Sequence, residues 1–285
     1  MSARPTARPF RPRSVLSIAG SDPSGGAGIQ ADIKTIVTHG LYAEAVPVVL
    51  TAQSTTGVTA VRALDPLFVR QQIEAVLDDG MPNAIKVGML GDARTVHAVA
   101  VALDSVTSPI VLDPVMLSSS GAPLLAPDAI SVLVEDLMPH VTLVTPNIPE
   151  AERLTGLELR EAGARERAAR ALARQLGCSV LIKGGHAQGQ AADCLAEGDA
   201  RCVWLEQERI AGGGAHGTGC ALSTAIACGL ACGHALERSV RDAKAYLTGA
   251  LAHPISVGHG TAPVNHLWRC TGRTGGQRAE GQPVA

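Results

Sequence analysis

Residues 14–38 read SVLSIAGSDPSGGAGIQADIKTIVT. The short apolar run at 14–19 is closed by Gly20 and reads as a buried strand. Residues 21–28, SDPSGGAG, are turn chemistry. From Ile29 to Thr38 the spacing predicts a helix with Ile29, Ile33, Ile36 and Val37 on one face. The same alternation repeats along the chain. Strands are expected at 45–51, 57–63, 84–88, 109–113, 141–145 and 180–183, and a hairpin at 192–197 and 201–206 around an EGD turn. Helices are expected at 66–79, 92–104 and 127–137, twice between 148 and 176, and at 217–233 and 235–252. Strand–helix alternation of this kind specifies an α/β fold, a mostly parallel central sheet with helices on both faces.

Length, charge and composition narrow the function. A chain of 285 residues without a linker or composition break between 14 and 270 is expected to hold one domain. It is flanked by a flexible arm at 1–13 and a Gly-rich tail at 271–285. The net charge of −2 lacks the basic excess of a nucleic-acid binder. Aromatic residues are only 2%, too few for a base-stacking platform. Hydrophobic residues at 46% supply a sizeable core. No run of 18 apolar residues exists, so no membrane span is expected. The Arg-rich residues 1–13 lack the apolar stretch of a secretory leader. With seven cysteines, an odd number, reduced thiols in a cytoplasmic enzyme are the expectation.

Ligands of open α/β sheets sit beyond the carboxyl ends of the strands. There the chain carries Gly20, Gln53, Gly88-Met89, Asp113, Thr145-Pro146-Asn147 and Lys183-Gly184-Gly185. No Gly-Lys dipeptide occurs, so a P-loop is excluded. Gly26-x-Gly28-x-x-Ala31 has the outline of a dinucleotide fingerprint, but Gln53 stands where an acidic ribose partner is needed. A Ser-His-Asp hydrolase has no G-x-S-x-G elbow. The denser signal is GGGAHGTGCALSTAIA at 212–227. Unpaired N–H groups at a helix start attract anions, and Gly217 and Gly219 let a phosphate approach them. Cys220 falls in the first turn, either as a stabilised thiolate or as a small packing residue. His216 is either part of the site or only a solvated loop histidine.

Asn147-x-x-Glu150 can present an amide and a carboxylate to a hydrated Mg²⁺, cap the following helix, or do both. Asp113 is a second carboxylate for a metal or phosphate site. Lys183 directly follows an apolar strand, so its charge either meets a phosphate or snorkels past the sheet edge. Cys228 and Cys232, with His234 nearby, lack the further ligands a zinc site needs and read as packed thiols.

Taken together, SIAGSDPSGGAGIQADIKT (17–35), TAQSTTGV (51–58), KVGML (86–90), VLDPVM (111–116), VTPNIPEAERLTG (144–156), LIKGGH (181–186), HGTGCALSTAIA (216–227), AKAYLTGAL (243–251) and GHGTAPVNH (258–266) resemble the hydroxymethylpyrimidine/phosphomethylpyrimidine kinases of thiamine synthesis. The resemblance implies a ribokinase-like fold without a large lid, ATP with Mg²⁺, and two successive phosphorylations of one pyrimidine. It places the pyrimidine beside Gly20, Asp32, Gln53, Met89 and Val115. It assigns the nucleotide side to Lys183, Asn147 and Asp113, and the metal to Glu150 and Asp113. It gives catalysis to Gly217, Thr218 and Gly219 with Cys220 as base. A homodimer is also implied. With the chain ending at residue 285, no appended thiamine-phosphate synthase domain is expected. Two positions depart from the family pattern: Ser119 stands where Lys is frequent, and Ala215 where Thr is common. Both bear on the grip on phosphate in the second step. A pyridoxal or pyridoxine kinase shares the fold and the ATP site. A non-catalytic pyrimidine-binding regulator would have lost the phosphate apparatus that is intact here.

Overall fold

The computed structural model describes residues 10–117, 123–185, 192–198, 201–206, 210 and 215–271. Strands β1 (Ser14–Ser21), β2 (Tyr42–Ser54), β3 (Gly57–Ala63), β4 (Ala84–Val87), β5 (Ile110–Leu112), β6 (Leu143–Val144), β7 (Ser179–Ile182), β8 (Asp193–Glu197) and β9 (Arg201–Leu205) join in one sheet. Their order is β3-β2-β1-β4-β5-β6-β7-β8-β9. The six strands from β2 to β7 are parallel neighbours, while β3, β8 and β9 add antiparallel edges. The fold is ribokinase-like, and among the described residues no large lid stands over the sheet.

Helices α1 (Gly28–Thr38), α2 (Pro66–Asp79), α3 (Ala93–Leu103), α4 (Ala129–Val132), α5 (Ile148–Thr155), α6 (Ala162–Leu176), α7 (Thr218–Ala231), α8 (Leu236–Ala252) and α9 (Trp268–Thr271) surround the sheet. Successive strand residues face opposite layers. Leu16, Ile18, Ile85 and Leu112 pack with Ile73, Val96 and Leu172 of α2, α3 and α6. Val15, Ala84, Val111 and Leu143 pack on the other face with Ile226 of α7 and Val240 and Tyr246 of α8. Helix α7 is buried nearly all round, and its small residues let it lie close to both neighbours. A Cβ on Gly229 would come within 2.7 Å of the Ser239 hydroxyl of α8.

The strand order turns at β1, which pairs with β2 on one side and β4 on the other. The helices that follow β1 and β4 leave toward opposite faces: Ile36 of α1 joins one core layer, Val96 and Val99 of α3 the other. A crevice therefore opens beyond the carboxyl ends of β1 and β4. Gly20 N–H donates to the Met89 carbonyl at 3.2 Å across that opening.

Three local expectations change. Helix α1 buries Ala31, Asp32, Thr35 and Ile36, while Val37 is 58% exposed. Buried polar partners, described below, turn the helix away from its most apolar stripe. The helix expected over 127–137 holds α-geometry only at Ala129–Val132. It widens into a π-turn at Leu133–Leu137 and tightens into a 3₁₀ turn at Met138–His140, an arrangement that buries Leu133, Leu137 and Met138 together. Arg13, expected in a free arm, donates to the Ala231 carbonyl at 2.6 Å, and its own carbonyl accepts from Tyr42 N–H. Residues 1–9 of the expected arm, 272–285 of the tail and Asp199 of the EGD turn lie outside the described residues.

His266 closes the second core layer near α8. Its Nδ1 lies 3.1 Å from Thr35 Oγ1 and 3.3 Å from the Tyr246 hydroxyl. Burial lowers its pKa to about 4. A proton therefore binds the unfolded chain more readily than the folded one between that value and the ordinary 6.5. Stability should be full above pH 6.5 and fall by about 3 kcal/mol as pH drops toward 4. Urea unfolding across that range checks it: His266→Gln should flatten the pH dependence, and an unchanged slope in the variant would show that other groups cause it.

Candidate functional site

The loop between β1 and α1 is built by its own side chains. Asp22 Oδ1 accepts from Ser24 N–H at 2.9 Å and from the Ser24 hydroxyl at 2.7 Å. Its Oδ2 accepts from Ala27 N–H at 2.9 Å. Gln30 reaches back from α1 to bond Asp22 N–H and the Ser21 hydroxyl, and Lys34 Nζ donates to the Gly25 carbonyl at 2.7 Å. Gly28 has φ +58° and packs so closely that a Cβ there would overlap the Gly20 carbonyl. The Met89 side chain lies directly over Gly20.

The start of α7 docks onto this loop. Gly217, at φ +84°, is its N-cap, and a Cβ there would overlap the Gly26 carbonyl oxygen. The Gly28 N–H dipole is close enough to the Cys220 sulfur to favour its deprotonated form. His216 Nε2 sits 3.1 Å from Asp22 Oδ2 and 3.1 Å from the Gln53 amide. A Cβ on Gly219 would lie 3.1 Å from Asp113 Oδ2 and 3.4 Å from Lys183 Nζ. The free N–H groups at the start of α7 thus stand between the Gly20–Met89–Gln53 side and the Asp113–Lys183 side.

Two ammonium–carboxylate pairs lie beneath that helix start. Lys183 Nζ bonds Asp113 Oδ1 at 2.6 Å, and Thr145 Oγ1 is 3.3 Å from the same oxygen. Burial works against the Lys183 charge, but Asp113 and Glu150 outweigh it and raise its pKa. Lys183 is thus paired under the loop and does not snorkel outward. The second pair is Lys86 with Asp32, 2.8 Å apart and both inaccessible to solvent. Asp32 Oδ2 also accepts from Ser17 Oγ at 2.6 Å, and Oδ1 from Thr224 Oγ1 of α7 at 2.6 Å. Both oxygens of Asp32, expected from the resemblance to lie beside the pyrimidine, are therefore committed to Lys86, Ser17 and Thr224 inside the protein. Lys86 escaped that reading, although a lysine within the apolar AIKVG obeys the same argument that singled out Lys183.

Asn147 and Glu150 form a full capping box for α5: Glu150 N–H donates to Asn147 Oδ1 at 2.9 Å, and Asn147 N–H to Glu150 Oε2 at 2.7 Å. Burial raises the Glu150 pKa; Lys183 opposes this and the Asp113 charge adds to it. No group of three or more His, Cys, Asp or Glu side chains is placed to hold a metal among the described residues. Magnesium asks for fewer protein oxygens, because waters and phosphates complete its shell. Asp113 and Glu150 fit that demand, since a cation beside them would relieve their mutual repulsion.

Val115 follows Asp113 in the loop after β5, its N–H bonded to the Asp113 carbonyl. Thr218 opens α7. Ser119 and Gly212–Gly214 lie outside the described residues. Cys220 differs from the stabilised thiolate its position suggests. Burial raises its pKa, Asp32 and Asp113 add to that, and Lys86 and Gly28 N–H only partly offset it. The balance of these effects favours the protonated thiol.

Residues 22–265 match the family model described as phosphomethylpyrimidine kinase. The hydroxymethylpyrimidine/phosphomethylpyrimidine kinase of Rhizobium meliloti is 45% identical over 258 residues, 89% of this chain and 97% of that protein. The crystal structure of phosphomethylpyrimidine kinase from Clostridium difficile superposes with a TM-score of 0.75 at 40% identity, covering 84% of this chain and 99% of that one. The Staphylococcus aureus pyridoxal kinase, in complex with AMP-PCP and pyridoxal, superposes with a TM-score of 0.81 at 29% identity over 90% and 94% of the two chains. The chain spans about half, 53%, of the thiamine biosynthesis bifunctional protein of Geobacter sulfurreducens, at 45% identity over 91% of its own length.

The buried pair makes the site's dependence on Lys86 measurable. Lys86→Met leaves the Asp32 carboxylate unpaired in the core and should cost about 3–5 kcal/mol in urea unfolding. Lys86→Met with Asp32→Asn removes both charges and should recover most of that loss. Equal stability of the single variant and the parent would mean that the pair carries no structural load.

Proposed function

The chain belongs to the phosphomethylpyrimidine kinase family, and on that premise we propose that it phosphorylates 4-amino-5-hydroxymethyl-2-methylpyrimidine with ATP, first to the monophosphate and then to the diphosphate, for thiamine diphosphate synthesis. The observation that carries the reading is the seating of Gly217 on Gly26. It supports a single backbone cradle shared by an acceptor on the Gly20, Met89 and Gln53 side and a phosphate on the Asp113 and Lys183 side.

In the first step the hydroxymethyl oxygen attacks the γ-phosphorus, the bond to the β-phosphate oxygen breaks, and ADP leaves. In the second step a phosphate oxygen of the monophosphate attacks in the same way. The N–H groups at the start of α7, with Gly217, Thr218 and Gly219, meet the moving phosphoryl group, and positioning and charge neutralisation dominate its transfer. Lys183 contributes positive charge from below, held in place by Asp113. Asp113, Glu150 and Asn147 would hold Mg²⁺, which supplies charge neutralisation at the nucleotide phosphates. Val115 lies beside Asp113 at the edge of the ring side, and Asp32 acts there from beneath, through the packing of α7.

Cys220 takes the hydroxyl proton in the first step. Its raised pKa means that only the deprotonated fraction serves, so the first step should accelerate as pH rises toward that value.

A pyridoxal kinase is the second reading, because the Staphylococcus pyridoxal kinase overlaps this fold as well as the pyrimidine kinase from Clostridium does. The higher identity to the pyrimidine kinases places it second. A homodimer fits the exposed apolar residues Leu50, Val58 and Val61 on β2 and β3. A cytoplasmic location fits the unpaired cysteines among the described residues.

Single-turnover kinetics on the alcohol and on its monophosphate test the reading. Both should be converted, in preference to pyridoxal. Cys220→Ala should slow the alcohol about 10²–10⁴-fold, the worth of a general base. It should slow the monophosphate much less, because its second pKa near 6 leaves it largely ionised. Equal slowing of both would remove the base assignment, and exclusive turnover of pyridoxal would overturn the substrate.

A further inference from the structure

His216, Asp22, Gln53 and Thr51 form one continuous cluster of polar contacts. Burial pushes the Asp22 carboxyl up, but hydrogen bonds from His216, Ser24 and Ala27 outweigh it and hold the group below the usual carboxylate value. Asp22 is therefore an acceptor only. The His216 Nε2 that faces Asp22 Oδ2 at 3.1 Å must carry a hydrogen. The same nitrogen lies 3.1 Å from the end of the Gln53 amide. Two N–H donors cannot share that contact, and the two senses of an amide are distinguished only by their partners. Oε1 is accordingly the Gln53 atom that faces His216. Nε2 then faces Thr51, whose hydroxyl is 3.2 Å from the other amide position. Thr51 can accept there, because it spends its own hydrogen on the Ser21 carbonyl at 2.8 Å. The single Nε2 hydrogen of His216 is then shared between Asp22 Oδ2 and Gln53 Oε1, one Gln53 amide hydrogen goes to Thr51, and the Thr51 hydrogen goes to the Ser21 carbonyl.

We infer that His216, fixed by Asp22, is a specificity-determining positioning residue that locks the Gln53 amide in one sense. This rests on the pyrimidine reading given above. A locked Gln53 keeps one lone pair on Oε1 and one hydrogen on Nε2 for a ligand. That pair complements an aminopyrimidine edge, where the amino group donates and the neighbouring ring nitrogen accepts. It mismatches the 4-oxo counterpart, where the ring N–H donates and the oxygen accepts. A free glutamine would turn over and serve either ring; a locked one cannot. The backbone holds His216 independently of its side chain: its N–H donates to the Ala262 carbonyl at 2.9 Å, and its carbonyl accepts from Val264 N–H at 3.3 Å.

The test compares kcat/KM, at saturating ATP, for the 4-amino alcohol and the 4-oxo alcohol. Sites built to hydrogen-bond a group reject analogues that leave it unpaired, so the parent should favour the amino ring by about 10²-fold or more. His216→Leu should shrink that ratio about tenfold or more, chiefly through a higher KM for the amino ring. KM for ATP should stay near the parent value. His216→Gln, whose amide can donate to both Asp22 and Gln53, should keep most of the discrimination. Thr51→Val removes the opposite anchor on β2 and should relax the ratio even if His216→Leu fails to fold. If the parent converts the amino alcohol and neither His216→Leu nor Thr51→Val changes the ratio, the lock is wrong while the kinase reading stands. If the parent converts neither ring, the kinase reading falls and the lock with it.

Discussion

Two glycine-bearing loops touch backbone to backbone, and the site depends on that contact. Gly217 presses against the Gly26 carbonyl, and Gly28 against the Gly20 carbonyl, with no room for a Cβ at either place. Side chains there would hold the start of α7 away from the end of β1. His216 would then lose its contact with Asp22. The glycines serve two needs at once, since both positions also have positive φ. The segment after α8 reinforces the contact. Thr261 N–H donates to the Thr55 carbonyl, and Gly260 packs onto that carbonyl with no space to spare. Ala262 and Val264 then pair with the His216 backbone, tying the β2–β3 turn to the glycine loop.

Charge under this contact is arranged economically. The chain has only four lysines, and each one fixes a particular place. Lys34 holds the Gly25 carbonyl, Lys86 pairs with Asp32, Lys183 with Asp113, and Lys244 of α8 with Asp193 at 2.5 Å. Two of these pairs lie below the start of α7, where a phosphate would add negative charge above them. Each of those two ammonium groups is neutralised by its own carboxylate. The Asp113 and Lys86 charges also act on Cys220 in opposite directions, and burial leaves the thiol protonated.

Much of this was legible in the sequence. Strand–helix alternation and turn chemistry after SVLSIA specified the sheet and its layers, because period and glycine placement are local properties. The strand ends pointed to Gln53, Met89, Asp113 and Lys183 for the same reason. What escaped depends on partners distant in sequence. Asp32 is apolar-stripe neighbour and carboxylate at once, and only the meeting of β4, α1 and α7 shows that it serves Lys86. His216 read equally well as a solvated loop residue, until Asp22 and Gln53 came within 3.1 Å of it. The helix-start argument for a Cys220 thiolate missed the desolvation of that half-buried sulfur and the Asp32 and Asp113 charges that strand β5 and helix α1 bring near it. The 127–137 stretch has helical periodicity, but its π-turn answers to the core it must fill.

Both proposed phosphoryl transfers depend on one cradle made by the Gly217–Gly26 contact. Gly217→Ala is the sharpest probe, since it adds one carbon at that contact and removes no polar side chain. The measurement is the single-turnover rate for the alcohol and for the monophosphate, with circular dichroism confirming a folded chain. Both rates should fall together, by similar factors of about 10² or more, as rates do elsewhere when oriented backbone donors are lost. A folded Gly217→Ala protein that keeps either rate at the parent level would contradict that dependence.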